Sequence, residues 1–285
     1  MSAPRARRLL RHLPFAYPAL MLGVFFMVPF GIMVVTSFYH RIESGFYEPG
    51  FELTHYQRFF SPLFTTHLWV SVQFSVLAAG LAVVVAVPFT YVLSRARRRT
   101  QVVALVYVLC ILSLSEVIVA YSWSMLLSRP AGISNLLAWL GLIEAPQSWS
   151  RGFWAVLLGL VYFNLPFAVL ILYPQCTRLD REITEAARTL GASPVTTFAT
   201  VVVPLLRPTI LAAFILLFVF TMGAFVTPQW LGRPEHWMYA ILIGDQALFR
   251  GNIPFAAALS MFFMVVTLGL VAVTARLGRR QRARL

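Results

Sequence analysis

The stretch "EAARTLGASPVTTFATVVVPLLRP" (residues 185–208) lies between two long apolar segments and has the features of a rigid connection. Asp180, just before it, is a residue type that caps helices, and Glu182 would fall in the first helical turn, where a negative charge is favourable. Gly191 is suited to the left-handed residue that follows a helix. These signals predict a short helix that ends at a tight turn.

A second helix is predicted directly after this turn. Ser193 followed by Pro194 is typical of a helix start, with a capping side chain and a proline at the first helical position. We expect Pro204 and Pro208 to end this helix before the next apolar segment. Residues 180–204, hereafter the elbow, are therefore predicted to form a stiff helix–turn–helix, which suits docking better than mere connection.

The composition around the elbow indicates a membrane protein. Of the 285 residues, 59% are hydrophobic and 12% are charged, which is too apolar for an ordinary soluble domain. A spanning helix needs about 20 apolar residues. Six segments qualify, at about 16–39, 67–93, 102–127, 153–175, 208–231 and 254–277. We predict an all-α membrane protein with one transmembrane domain over 1–285, a tail at 1–15 and a retained first helix rather than a cleaved signal.

Arginine carries all of the basic charge, and its distribution predicts the orientation. Seventeen arginines would lie on one side of the membrane and six on the other. The positive-inside rule then places both termini, the tail and the elbow in the cytoplasm. Nucleic-acid binding is the alternative for a net charge of +13, but the arginines lie against span ends and no aromatic platform accompanies them. The richer side comprises Arg5, Arg7, Arg8, Arg11, Arg95, Arg97, Arg98, Arg99, Arg178, Arg181, Arg188, Arg207, Arg276, Arg279, Arg280, Arg282 and Arg284.

The spacing of the elbow resembles a known signature, EAA-x3-G-x9-I-x-L-P, found in the membrane subunits of ATP-binding-cassette (ABC) importers. Glu185-Ala186-Ala187, Gly191 and Pro204 match it in register. Val201 and Val203 replace the isoleucine and leucine but keep the apolar character. The segments at 120–143 and 223–247 resemble the polyamine (spermidine/putrescine) branch of these permeases, so the likeness extends from the second span onward.

This resemblance implies roles for the residues and for partner proteins. The elbow would be the coupling helix, with Glu185, Ala186, Ala187, Gly191 and Pro204 transmitting movement from a cytoplasmic ABC ATPase dimer. A second permease subunit, expected to be a different chain, and a periplasmic substrate-binding protein would complete the importer. The chain has no G-x-x-x-x-G-K-[ST] loop, so we expect no ATPase activity of its own. An alternative for Glu185 is an exposed pair with Arg188 or Arg181, worth only about 0.3–0.5 kcal/mol.

Glu116 is the one carboxylate predicted inside a span, so it should face protein or water. Trp123 lies seven residues later on the same predicted helix face, and a carboxylate near an indole suits a cationic amine. The alternative is a protonated acid that bonds a neighbouring helix, through Ser113 or Ser115. Phe225, Gln229 and Trp230 are further candidates for the substrate path, with core packing as the alternative for the aromatic residues.

We therefore predict a permease subunit that forms half of a pathway for a small nitrogenous solute such as putrescine or spermidine. Another cationic or zwitterionic solute, amino-acid-like or opine-like, is the first alternative. An ion-coupled secondary transporter is a second, but a single buried carboxylate is meagre for ion coupling. An intramembrane enzyme would need a nucleophile–base pair or a metal cluster. The spacing of the histidines and the two cysteines predicts no metal site and no cofactor.

Overall fold

The computed structural model describes residues 3–42, 47–130 and 132–282, and helices make up most of these ranges. The long helices alternate with short helices that lie in the connections. In chain order they are α1 (Ala3–Thr36), α2 (Thr54–Gln57), α3 (Pro62–Arg95), α4 (Arg98–Leu112), α5 (Glu116–Leu126), α6 (Ile133–Trp139), α7 (Phe153–Thr177), α8 (Arg181–Thr189), α9 (Pro194–Thr197), α10 (Val203–Met222), α11 (Val226–Leu231), α12 (Tyr239–Gly244) and α13 (Ile253–Arg282). The all-α prediction is confirmed for the described ranges.

Four helical segments are long and apolar enough to cross a membrane: α3, α7, Pro194–Met222 and Ile253–Arg276. A fifth is possible if α4 and α5 together form one bent span. The described apolar part of α1, Leu20–Thr36, is shorter. The structure therefore supports four or five of the six predicted spans by length and composition.

The predicted third span, 102–127, is wrong as a single helix. α4 ends at Leu112 and α5 begins at Glu116, with a bend of 93° between them. Two serines occupy the break. The Ser113 hydroxyl donates to the Leu109 carbonyl oxygen at 3.0 Å, and Ser115 adopts an extended backbone as the N-cap of α5. Serine side chains that compete for backbone groups bend or end helices, which accounts for the break here.

The second helix of the elbow also differs from the prediction. Pro194–Met222 is one continuous helical segment, in which α9 passes through a π-helical turn (Phe198–Val202) into α10. Pro204 and Pro208 therefore do not end a helix. Pro204 is the second residue of α10, just after the π turn has interrupted the regular hydrogen-bond ladder, so its missing N–H costs little. The predicted span 208–231 instead breaks at Gly223, and α11 is a separate short helix.

The chain divides into two compact units. In the larger unit, residues 62–242 and 266–285, α3 packs along α7 and α10 packs against both helices. Small residues make the close approach of α3 possible: Ala78, Ala82 and Ala86 are completely buried. Phe74, Val156 and Leu231 fill the adjoining core.

The smaller unit comprises residues 1–61 and 243–265. The ring of Phe59 stacks on Phe262 with centroids 4.7 Å apart, and the Ser37 hydroxyl lies 2.7 Å from the Tyr56 hydroxyl. α2 and the 3₁₀ turn that follows it therefore contribute aromatic packing to this unit.

Candidate functional site

A cavity of about 180 Å³ lies where α5, α7, α10 and α11 meet in the larger unit. Its walls combine one carboxylate with amide, hydroxyl and aromatic groups. They are formed by Glu116, Leu160, Phe163, Asn164, Phe220, Thr221, Gly223, Ala224, Phe225 and Thr227. A cavity that pairs apolar walls with a few polar groups is the usual form of a small-molecule site.

Glu116 owes its place in this cavity to the break between α4 and α5. The break makes it the first residue of α5 rather than a residue near the middle of a straight span. Its Oε1 atom accepts a hydrogen bond from the Thr227 hydroxyl at 2.9 Å and from the Thr227 backbone N–H at 3.3 Å. The bond is to a neighbouring helix, as in the alternative interpretation of Glu116, but α11 rather than Ser113 or Ser115 supplies the partner.

Gly159 allows α11 to approach α7 closely enough for this contact. A Cβ atom at position 159 would lie 2.6 Å from Cδ1 of Leu231 and 2.8 Å from Cγ2 of Thr227. Both distances are shorter than real Cβ atoms show. The absence of a side chain at Gly159 thus sets the position of Thr227, and with it the hydrogen bond to Glu116.

A second polar pair in the cavity was not among the sequence candidates. The Asn164 side-chain amide donates to the Thr221 hydroxyl at 2.7 Å, and that hydroxyl donates to the Leu217 carbonyl oxygen at 2.8 Å. Asn164 and Thr221 are each 1% exposed. A signal for Asn164 was present, because a polar amide inside an apolar span needs a partner or a function.

The structure separates the remaining candidates for the substrate path. Phe225 lines the cavity with Glu116, whereas Trp123, Gln229 and Trp230 do not. Trp123 packs edge-on against Tyr162, with centroids 5.7 Å apart, beside the core of the unit. Trp230 makes an edge contact with Tyr121 at 5.8 Å. Both tryptophans thus make aromatic packing contacts outside the cavity of Glu116.

The turn of the elbow has the geometry that the sequence predicts. Gly191 has a φ of +88°, and the N–H groups of Gly191 and Ala192 donate to the carbonyl oxygens of Arg188 and Ala187. This is the paired arrangement of a Schellman C-cap. Ser193 then caps α9, because its hydroxyl oxygen accepts a hydrogen bond from the Thr196 N–H at 3.1 Å. Asp180 occupies the N-cap position of α8 but makes no capping side-chain bond.

The base of the elbow is fixed to the end of α3. The Arg95 guanidinium donates to the Leu179 carbonyl oxygen at 3.3 Å and lies 5.4 Å from the centre of the Tyr91 ring. Tyr91 in turn contacts Phe198, with ring centroids 5.4 Å apart. The elbow is therefore attached to the helical body and is not a free loop.

The tip of the elbow exposes apolar side chains. Leu190 is 89% exposed and Val195 is 77% exposed, on either side of the Gly191 turn. Glu185 and Ala186 are exposed and Ala187 is half-buried, while Pro204 lies beyond the π turn, away from the tip. No ion pair within 4.0 Å involves Glu185 in the part of the chain that the structure describes, so the alternative pairing with Arg188 or Arg181 is not seen there.

Comparison with known proteins gives concordant matches in sequence and fold. The model of the family described as "Binding-protein-dependent transport system inner membrane component" matches residues 78–283. The spermidine/putrescine transport system permease protein PotB of Escherichia coli strain K12 is 31% identical over 245 residues, covering 86% of this chain and 89% of PotB. PotB of Haemophilus influenzae is 29% identical over 242 residues, covering 85% of each chain.

Two solved structures share the fold at lower sequence identity. One is a bacterial ABC transporter involved in the import of the acidic polysaccharide alginate, with a TM-score of 0.72, 19% identity and coverage of 96% of this chain and 98% of that one. The other is a bacterial alginate ABC transporter in complex with a periplasmic protein bound to an alginate pentasaccharide, with a TM-score of 0.75, 17% identity and 96% coverage of each chain. The family match over residues 78–283, together with the identity to PotB, shows that this chain belongs to the family of binding-protein-dependent transport system inner membrane components.

Proposed function

We propose that this inner membrane permease subunit of an ABC importer forms half of the pathway for a polyamine such as putrescine or spermidine. The observation that carries the proposal is the Glu116 carboxylate, held by Thr227 beside a cavity among the helices. A carboxylate in an apolar setting attracts ammonium groups strongly, since few water molecules screen it there. Spermidine and putrescine in the names of the matched permeases support the same class of solute.

The decisive experiment is uptake of labelled spermidine by proteoliposomes that contain the chain with its ATPase, second permease and binding protein. Glu116→Gln removes the charge with little change of shape. A charged hydrogen bond contributes about 1.5–3 kcal/mol, so uptake at low spermidine should fall roughly ten- to hundredfold. Glu144→Gln, at an exposed carboxylate that does not line the cavity, is the matched control and should leave uptake unchanged.

The same assay separates the alternatives. If an amino-acid-like or opine-like zwitterion is transported and spermidine is not, the polyamine assignment fails while the importer class stands. An ATP-containing vesicle without any ion gradient should still accumulate solute. Accumulation that requires an ion gradient would instead indicate secondary transport.

We further propose six spans with both termini in the cytoplasm. The proposed first span is α1, whose side chains Leu22, Phe25 and Ile32 are 60–74% exposed and suited to contact with lipid. The bent pair of α4 and α5 would form the third span. The asymmetry of seventeen arginines against six supports this orientation.

The elbow is proposed to dock on a cytoplasmic ATPase dimer, in an assembly with a second permease and a periplasmic binding protein. The exposed Leu190 and Val195 on a capped, anchored turn support docking, because they offer an apolar contact on a rigid element. Glu185→Cys, in a chain with Cys110 replaced by serine, should react with a membrane-impermeant thiol reagent only from the cytoplasmic side. Glu185→Lys should preserve membrane insertion while ATP hydrolysis continues without uptake, and normal uptake by this variant would contradict a coupling role.

A further inference from the structure

A second cavity, of about 300 Å³, lies at the base of the elbow and is separate from the cavity of Glu116. It is bounded by the last turns of α3 on one side and by α8 and the start of α9 on the other. Three arginines line it, Arg95, Arg181 and Arg188, and Glu185 is the one carboxylate in its walls. The walls therefore carry an excess of two positive charges.

Several hydrogen-bond donors of this cavity have no partner within the chain. Thr197 lines the cavity and is 3% exposed, yet its hydroxyl makes no hydrogen bond. The buried Nε atom of Arg95 likewise has none. Across the described residues, the guanidinium groups of Arg181 and Arg188 also make no hydrogen bond or ion pair. Buried polar groups are normally satisfied, so the unpartnered Thr197 hydroxyl and Arg95 Nε point to a ligand rich in acceptor oxygens, to which the exposed guanidinium groups of Arg181 and Arg188 in the same walls could also donate.

We propose that this cavity binds a phosphate-type anion, carried either by inorganic phosphate or by the headgroup of an anionic lipid. Inorganic phosphate carries a charge between about −1 and −2 near neutral pH, and the phosphodiester of phosphatidylglycerol carries about −1, so the excess positive charge of the walls would attract either. Its oxygens suit guanidinium and hydroxyl donors together. A lipid source fits the position of Arg95 as the last residue of α3, because basic side chains at the ends of spanning helices reach toward the headgroups.

The location gives the bound anion a structural consequence. Arg95 belongs to α3, whereas Arg188 and Thr197 belong to the two arms of the elbow. An anion bonded to all three would join the helical body to both arms and would hold the elbow at one angle. The binding site is therefore a place at which cytoplasmic phosphate or the lipid composition could influence the proposed coupling.

The test uses the complete importer complex in phosphatidylcholine nanodiscs, with the nucleotide sites of the ATPase saturated by ADP. In one arm, radiolabelled orthophosphate binding is measured by equilibrium dialysis. In the other, phosphatidylglycerol is added to the nanodiscs, and native mass spectrometry measures how much stays bound to the complex. Binding in the first arm identifies a soluble source, and selective retention in the second identifies a lipid.

Three variants make the measurement specific. Arg188→Gln and Thr197→Val each remove one donor from the cavity, so binding should weaken roughly tenfold in each. Arg178→Gln removes an exposed arginine that lies near the elbow but does not line the cavity, and its binding should match the wild type. Arg188 is exposed, so its variant should fold even if Thr197→Val does not.

No binding in either arm would overturn the proposal, as would an equal loss in Arg178→Gln, which would indicate nonspecific attraction to surface charge. An acidic side chain of the ATPase that fills the cavity in the complex would also give no binding, and would refute it. Neither result tests the proposed polyamine solute, because the experiment measures anion binding and not uptake. Conversely, Glu116→Gln should leave phosphate binding unchanged.

Discussion

Gly159 provides a sharp test of the packing that positions Glu116. In Gly159→Ala, the new Cβ would lie 2.6 Å from Leu231 and 2.8 Å from Thr227, whereas ordinary contact begins at 3.4 Å. Leu231 and Thr227 are at most 1% exposed, so neither side chain has room to turn away. α11 must therefore move from α7 by about 0.8 Å, the difference between 2.6 and 3.4 Å.

This displacement is large on the scale of the hydrogen bond it disturbs. The Thr227 hydroxyl is 2.9 Å from Oε1 of Glu116. A shift of about 0.8 Å along that direction would lengthen this separation beyond the range of a hydrogen bond. Overpacking a core by one methyl group costs about 1–3 kcal/mol. The higher helix propensity of alanine returns at most about 1 kcal/mol.

Gly80→Ala is the matched control. Gly80 also lies inside a spanning helix, α3, but a Cβ there would approach no atom closer than 4.0 Å. The two variants share the gain in helix propensity, so their difference isolates the overpacking. We expect Gly159→Ala to unfold several degrees below Gly80→Ala, since 1 kcal/mol shifts the melting temperature of a chain of this size by roughly 2–4 °C.

Unfolding can be followed through Cys176, which is buried and free. In a chain with the exposed Cys110 replaced by serine, a thiol-reactive dye would report when Cys176 becomes accessible during heating. The uptake assay should also show a higher KM in Gly159→Ala than in Gly80→Ala. Equal melting temperatures and equal KM values for the two variants would refute the reasoning, because α11 would then be free to adjust.

Three further predictions concern the elbow and the smaller unit. Gly191→Val places a β-branched residue at a φ of +88°, which costs about 1–2 kcal/mol of backbone strain and should distort the turn. The number of ATP molecules hydrolysed per solute imported should therefore rise. An unchanged ratio would show that the turn tolerates the strain. Leu190→Asp should prevent co-purification of the ATPase without changing the melting temperature of the permease, whereas Thr189→Asp, which adds the same charge one residue earlier, should affect co-purification less. Hydrogen bonds from Thr54 and then His40 hold the pKa of Glu52 below its usual 4.5, so the folded state gains stability from this group above that pH and loses it as the pH falls further. The melting temperature of Glu52→Gln should therefore fall less on acidification than that of the wild type, and parallel pH profiles would contradict this.

Local sequence signals were sufficient to predict the turn of the elbow. Gly191 and Ser193 act through their own backbone and nearest neighbours, so sequence alone identified the left-handed residue and the cap. Whether Pro204 ends a helix depended instead on the π turn before it. The first residue of that turn, Phe198, contacts Tyr91 of another helix, a contact that no local pattern records.

At the candidate site, too, local features were predictable from the sequence and long-range contacts were not. Glu116 was identified because a carboxylate in an apolar segment is costly, but its partner Thr227 is 111 residues away in the chain. Asn164 was not predicted, because an uncharged amide costs less in an apolar segment than a carboxylate does and therefore gives a weaker signal. Trp123 does lie on the same helix as Glu116, but it packs against Tyr162 of α7, whereas Glu116 is bonded to Thr227 of α11, and local spacing records neither contact.

The continuity of Pro194–Met222 has a mechanical consequence. At 1.5 Å per residue, these 29 residues form a helical segment about 43 Å long, with the turn of the elbow at one end and the break at Gly223, beside the cavity, at the other. With a pivot near the middle, a tilt of about 10° would carry the two tips in opposite directions by almost 4 Å each, more than the length of a hydrogen bond. Because no loop interrupts this helical segment, a displacement of one end is transmitted directly to the other end.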